Sequence, residues 1–254
     1  MAGIDEQRWN SYLAGYHEQR PAITERLLTS ADASPYAWLA EALGGVGEPI
    51  LDLACGSAPV RPLLARSNWV GLDWSLGELG YAAAHGRGPL VRARAEALPM
   101  ASASVGAVCA AMCLPVLTPL DGVLGEVARV LRPGGRLVAL VPSAGGVNAT
   151  HLATWARIMW WLGVWRQPWP NPQARGGVAR VLRQAGFDVH TDERRTFTVP
   201  LGSPRDADLL VDGLYLPGVS DARILRSRRR LAALARPGRR LALPLRRVVA
   251  SVRT

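Results

Sequence analysis

The stretch Ile50-Leu51-Asp52-Leu53-Ala54-Cys55-Gly56-Ser57-Ala58 passes from apolar residues, through one carboxylate, into a turn of small side chains. The run Pro49–Ala54 is short and lacks the alternation of a half-exposed strand, as expected of a strand covered on both faces. Small residues beyond it let the backbone approach a ligand closely. A helix starting there, expected around Pro62–Ala65, would present unpaired N–H groups to that ligand. An ordinary strand-to-helix turn has a similar composition, so the surrounding sequence has to choose between the two.

Working outward, Trp69–Asp73 reads as a second strand, and Ser75-Leu76-Gly77-Glu78 has the spacing of a capping box that opens a helix. Leu90–Arg92, Val105–Met112 and Arg136–Val141 read as further strands. Between the last two, Thr118-Pro119-Leu120-Asp121 caps a helix with the core stripe Leu120, Val123, Leu124, Val127 and Leu131, stopped at Arg132-Pro133-Gly134-Gly135. Arg175–Ala185 has helical spacing, Gly186–Val189 begins a strand, and Ser203-Pro204-Arg205-Asp206 caps another helix. Arg223–Arg240 reads as helix and loop, and Leu243–Val252 as a last strand. Strands alternating with helices predict an α/β fold with a parallel sheet and right-handed crossovers.

Two segments stand outside this alternation. Residues 1–45 form an N-terminal helical cap, with Trp9, Tyr12, Leu13 and Tyr16 at helical spacing and a second start at Ser34-Pro35. Residues 148–172 hold Trp155, Trp160, Trp161, Trp165 and Trp169, a Trp-rich lid insertion. With neither repeat nor linker, residues 1–254 are expected to form a single domain.

Composition excludes several classes. Apolar residues make up 49% of the 254, too many for a disordered chain. No apolar run reaches the roughly 18–20 residues of a membrane helix, and the start has no signal pattern, so a cytoplasmic location is expected. Cys55, Cys109 and Cys113 have no paired spacing, so neither a disulfide framework nor a metal site is expected. The net charge is +10, yet the sequence contains no lysine. Arginine alone, beside abundant Ala, Gly and Pro, has the look of GC-rich coding, which weakens charge as a pointer to nucleic acid.

Asp73 strengthens the ligand reading. It ends the second strand about twenty residues after the turn, where Rossmann-type folds place an acid for ribose hydroxyls. A dinucleotide site would want Gly-x-Gly-x-x-Gly for its pyrophosphate. Ala54-Cys55-Gly56-Ser57-Ala58-Pro59 lacks that pattern, which disfavours NAD.

Five segments in order resemble the class I S-adenosylmethionine (SAM)-dependent methyltransferases, specifically the type 11, ubiquinone/menaquinone-biosynthesis-like family. They are LDLACGSA, GLDWS, ARAEALPMASASVGAV, LGEVARVLRPGGRLVALVP and LRQAGFDV. The resemblance covers the core and says little about residues 1–45 or 145–175. It implies a Rossmann-like fold with a mostly parallel seven-stranded sheet, helices on both faces and a helical lid. It also implies SAM as cofactor: Asp52, Ala54, Cys55 and Gly56 around its methionine part, Asp73 on the ribose, and Trp74 beside the adenine. Ala95 and Glu96 would lie at the adenine edge, and Met112 near the sulfonium. Three departures stand out. Ala58 replaces a usual glycine and would add a methyl near the cofactor. Arg94 replaces the acid that commonly accepts the adenine amino group, leaving Glu96 as a substitute. Gly106 replaces an aspartate at the fourth strand.

Methyl transfer from a sulfonium is an in-line displacement helped mainly by alignment, and a base is needed only for an acceptor that must lose a proton. His17 and His151 are the candidates. The tryptophans suggest an apolar pocket for a hydrophobic or aromatic small molecule, with Arg166 and Arg175 available to an anionic group; helix packing is the plainer reading. The arginines of Arg223–Arg253 read first as a solvated face, with contact to an anionic surface as the alternative. The alternatives are an RNA methyltransferase, against which Met112-Cys113-Leu114-Pro115 tells by lacking a base-methylation motif, and a SAM-binding protein that transfers nothing.

Overall fold

The structure, a computed structural model, describes residues 5–64 and 68–253. One sheet contains β1 (Ile50–Leu53), β2 (Trp69–Asp73), β3 (Leu90–Arg92), β4 (Val105–Ala111), β5 (Leu131–Pro142), β6 (Phe187–Pro200) and β7 (Arg240–Val252). Their order is β3-β2-β1-β4-β5-β7-β6. Strands β1 to β5 are parallel, and β7 runs antiparallel to both neighbours. The chain steps outward from β1 to β3 and then returns to β4 on the other side of β1. That reversal opens a crevice at the carboxyl ends of β1 and β4, the usual ligand position in such sheets.

The helices are α1 (Glu6–Gln19), α2 (Ile23–Thr29), α3 (Pro35–Glu41), α4 (Leu76–Ala84), α5 (Leu120–Val130), α6 (Ala149–Leu162), α7 (Gln173–Gly176), α8 (Val178–Gln184), α9 (Pro204–Asp212) and α10 (Asp221–Ala232). All four residues of β1 are buried, as its unbroken apolar run requires. One sheet face packs on α5 and α8 through Val123, Val127 and Leu182; the other packs on α3 and α4 through Leu39 and Ala82. Burying each such Val or Leu is worth about 1.5–3 kcal/mol. A third cluster joins α6, α9 and α10 under the distal halves of β6 and β7.

Several elements differ from expectation. The segment after the first turn is a 3-10 turn at Arg61–Leu64, and the expected Ala65 lies outside the described residues. Thr118 does not cap α5: its hydroxyl bonds Asn10 Oδ1 at 2.9 Å, and Pro119 occupies the cap position. Leu131 opens β5 rather than closing the helix stripe. Arg175–Ala185 divides into α7 and α8 at Gly177. The helix α2 was not foreseen; it starts from Ala22 in a left-handed conformation.

The last two strands are far longer than their apolar portions. Asp192 and Glu193 on edge strand β6 pair across the ladder with Arg246 and Arg247 of β7, and Asp188 pairs with Arg253 just beyond that strand. Charge on an edge strand is tolerated and discourages further pairing. These arginines are therefore spent within the fold. Among the described residues, no helix is long and apolar enough to cross a membrane.

Candidate cofactor and acceptor site

The loop after β1 is built by alternation of left-handed residues: Ala54 (φ 49°), Gly56 (φ 54°) and Ala58 (φ 55°). A left-handed conformation costs a residue with a Cβ about 1–2 kcal/mol, so alanine is the smallest departure from glycine the loop could carry. Hydrogen bonds hold it in place. Cys55 N donates to Leu72 O at 2.9 Å and Gly56 N to Asp73 Oδ2 at 2.8 Å. The other Asp73 oxygen accepts from Ser75 N at 2.9 Å. Asp73 thus joins the loops after β1 and β2 while facing the crevice; burial raises its pKa, and the two N–H donors oppose that rise.

Beside it, Trp74 is 45% exposed, with the Arg92 and Arg94 guanidinium carbons 4.5 and 5.4 Å from its ring centroid. Arg94 is ion-paired with Glu96. Met112 follows β4 at φ 64°, with its N–H on Leu140 O at 2.7 Å.

The N-terminal helix roofs this crevice. Its Glu18 accepts from Leu76 N and Gly77 N at 2.7 and 2.8 Å, placing a carboxylate on the N-terminus of α4. The expected capping box is consequently half made. Ser75 Oγ accepts from Glu78 N, while the buried Glu78 carboxylate turns to His17 Nδ1 at 2.8 Å and Ala22 N at 2.9 Å. His17 Nε2 lies 3.2 Å from Tyr215 Oη. Trp9 Nε1 donates to Val116 O at 2.8 Å, and Tyr12 Oη accepts from Leu216 N at 2.7 Å.

A second cavity of about 810 Å³ opens beside the first. Its walls include Trp155, Met159, Trp160, Trp165 and Trp169 from α6 and the loop after it, facing Pro142 and Leu243. The two cavities share Thr24, Met112, Val116 and Tyr215.

Of the expected cofactor residues, Ala54, Cys55, Gly56, Asp73, Trp74, Ala95, Glu96 and Met112 all line the first cavity. Asp52 does not. It is 1% exposed, and burial pushes its carboxyl up to about 7. His17 lines the cavity. His151, in the first turn of α6, lines neither. One expectation about a departure is corrected. The Ala58 methyl is fully buried in the core and does not reach the cavity. Gly106 is forced by packing: a Cβ there would meet the carbonyl of Gly47 and come within 2.7 Å of Glu48 N. It sits at the start of β4, far from the carboxyl edge. Tyr215 escaped sequence reading, and Glu78 was read as a helix cap alone.

The fold and the crevice define a Rossmann-like methyltransferase architecture. Residues 51–139 match the family model described as a methyltransferase domain, type 11. A malonyl-[acyl-carrier protein] O-methyltransferase of Alcanivorax borkumensis is 38% identical over 117 residues, covering 42% of this chain and 39% of the relative. A demethylmenaquinone methyltransferase of Mycolicibacterium paratuberculosis is 43% identical over 100 residues, covering 38% and 43%. The chain thus spans about two-fifths of the length of these curated relatives. Among solved structures, a methyltransferase candidate of Bacillus halodurans C-125 superposes with a TM-score of 0.61 at 18% identity, over 87% of this chain and all of the other. Residues 51–139 are thus similar to the class I, type 11 SAM-dependent methyltransferases.

The residues present suit that cofactor. Glu25, Asp73, Glu78 and Glu96 line the first cavity against one arginine, Arg94. A surplus of carboxylates complements a molecule bearing a sulfonium and an ammonium.

Proposed function

We propose that this protein transfers a methyl group from SAM to a small molecule with a hydrophobic or aromatic body held beneath the Trp-rich lid. The observation that carries the proposal is the junction of the two cavities at Met112: one is rich in carboxylates, the other apolar and large enough for a ring-bearing acceptor. When bound, SAM supplies a methyl group already activated as a sulfonium. The chain's own contribution is alignment, worth up to about 7–11 kcal/mol in ideal cases.

Asp73 holds the ribose diol with the lone pairs its two N–H partners leave free. Trp74, Ala95 and Glu96 border the adenine, and the Ala54–Gly56 backbone holds the methionine end. Asp52 acts from beneath the loop rather than by contact.

For a hydroxyl acceptor, the proton leaves through Tyr215. Its oxygen takes the acceptor's proton as its own passes to His17 Nε2, and Glu78 at Nδ1 stabilises the resulting imidazolium. Burial pushes the Tyr215 phenol above its ordinary range, so it serves by relaying a proton rather than by ionising.

The relatives' names concern a demethylmenaquinone and a malonyl-[acyl-carrier protein], and the tryptophans of the lid cavity favour the first kind of body. An RNA acceptor fits less well, because tryptophans and methionine make up much of the lid cavity's wall and Met112-Cys113-Leu114-Pro115 lacks a base-methylation motif. The test is formation of S-adenosylhomocysteine by the full chain with SAM and a panel of quinols and phenols. Acceptor-dependent product supports the proposal. SAM that binds but is not consumed with any member of the panel overturns it.

A further inference from the structure

The two cavities differ in charge as well as polarity. The carboxylates gather in the first. The second is lined by Arg166, Arg175 and Arg223, and no Asp or Glu is among its lining residues. Arg175 is the most telling of the three. It is half-buried, its Nε donates to Ser143 O at 3.3 Å, and its guanidinium lies 5.8 Å from the Trp169 ring centroid. Among the described residues, no carboxylate pairs with it and neither terminal nitrogen has a hydrogen-bond partner. Arg87 and Arg246, similarly embedded, instead meet the carboxylates of Glu25 and Asp192. Burial draws the Arg175 pKa below its ordinary value, the mark of a cation left without compensation.

The same wall is short of acceptors. Gln167 and Trp169 also line the cavity, and the Gln167 amide nitrogen and the Trp169 indole nitrogen both lack partners among the described residues. The Gln167 oxygen is already taken by Tyr215 N at 3.0 Å. Position matters too. Ser143 directly follows β5, the strand beside β4, so Arg175 stands over the carboxyl edge one strand across from Met112.

Resting on the two-cavity reading above, we infer that the acceptor is an amphipathic organic acid whose anionic oxygens are gripped by the free end of Arg175. Its apolar body lies against the tryptophans, and Arg166 and Arg223 extend the positive field toward the cavity's exposed rim. A guanidinium presents two parallel N–H donors that match a carboxylate or a phosphate. Charge thus sorts the two reactants, the cation to one cavity and the anion to the other.

The test is calorimetric titration of the full chain with 2-naphthoate, 2-naphthyl phosphate and the uncharged 2-naphthamide. The wild type should bind at least one anion five times or more tightly than the amide, and the tighter anion identifies the head group. Arg175→Met should reduce that preference below twofold. Arg175→Lys, which keeps the charge but not the fork, should retain part of it. Unchanged melting temperatures establish that the variants fold. The inference is overturned if the amide binds as tightly as both anions, or if the preference survives in Arg175→Met. Titrating S-adenosylhomocysteine into the same samples reads the first cavity separately, so loss of the acid subsite is distinguishable from loss of the methyltransferase reading.

Discussion

Replacing Asp52 by asparagine should stabilise the protein at pH 8 and fail to do so at pH 5. The Asp52 side chain is buried beneath the first loop, and neither carboxylate oxygen has a hydrogen-bond partner among the described residues. Burial, reinforced by the charge of Asp73, raises its pKa from 3.8 to about 7, against opposing contacts from Cys109 and Trp69. The folded chain therefore holds this proton more tightly than the unfolded chain does. Between 3.8 and about 7 the folded state carries more protons, so stability falls as pH rises through that window and stays low above it. The gap is worth about 4 kcal/mol by pH 8. Asparagine escapes that charge penalty but leaves its own amide unpaired, at about 1–3 kcal/mol at every pH. The net gain at pH 8 is then about 1–3 kcal/mol, or several degrees in melting temperature at roughly 2–4 °C per kcal/mol. At pH 5 only about 1.6 kcal/mol of the penalty has accrued, because the unfolded carboxyl is ionised there while the native one is still neutral; the unpaired amide cancels it, and the gain disappears. Thermal melts of both proteins at pH 5, 6, 7 and 8 measure this directly. A constant offset across the series, or a loss at pH 8, would mean that Asp52 carries a compensated charge, as it would if it gripped a ligand directly.

Two further outcomes are expected. Tyr215→Phe should lower kcat for a hydroxyl acceptor by about 10²-fold or more, the range of general-base effects, with S-adenosylhomocysteine affinity little changed; full turnover in single-turnover assays would remove Tyr215 and His17 from the proton path. Gly106→Ala should cost about 1–3 kcal/mol through overpacking, because its methyl collides with the Gly47 carbonyl; a denaturation midpoint equal to wild type would show that the 47–48 segment yields freely.

Much of the central fold was legible because its strands obey simple rules. The buried β1 and β4 are nearly uninterrupted apolar runs, and Asp73 ends β2 at the spacing a ribose site requires. The far edge was not legible. Strand β6 carries Asp188, His190, Asp192, Glu193, Arg194 and Arg195, a composition that reads as loop until the arginines of β7 are placed opposite.

Within the site, local signals misled where tertiary contacts took over. Ser75 and Glu78 have capping-box spacing, yet Glu18, from a helix 57 residues earlier, takes the exposed N–H groups and frees Glu78 for His17. Ala58 could be assigned to a glycine position from spacing alone, but not the direction of its methyl, which the left-handed backbone turns into the core. Tyr215 meets His17 across 198 residues in a segment between α9 and α10 with no motif of its own. Distance along the chain hides such a pairing from any local pattern.

Calorimetric titration of S-adenosylhomocysteine into wild type and Asp73→Ala tests the cofactor site most directly. One site per chain is predicted, weakened in the variant by about 1–3 kcal/mol, or about five- to 150-fold, through loss of charge-assisted hydrogen bonds. No heat of binding to wild type, or equal affinity in the variant, would contradict the assignment of this crevice.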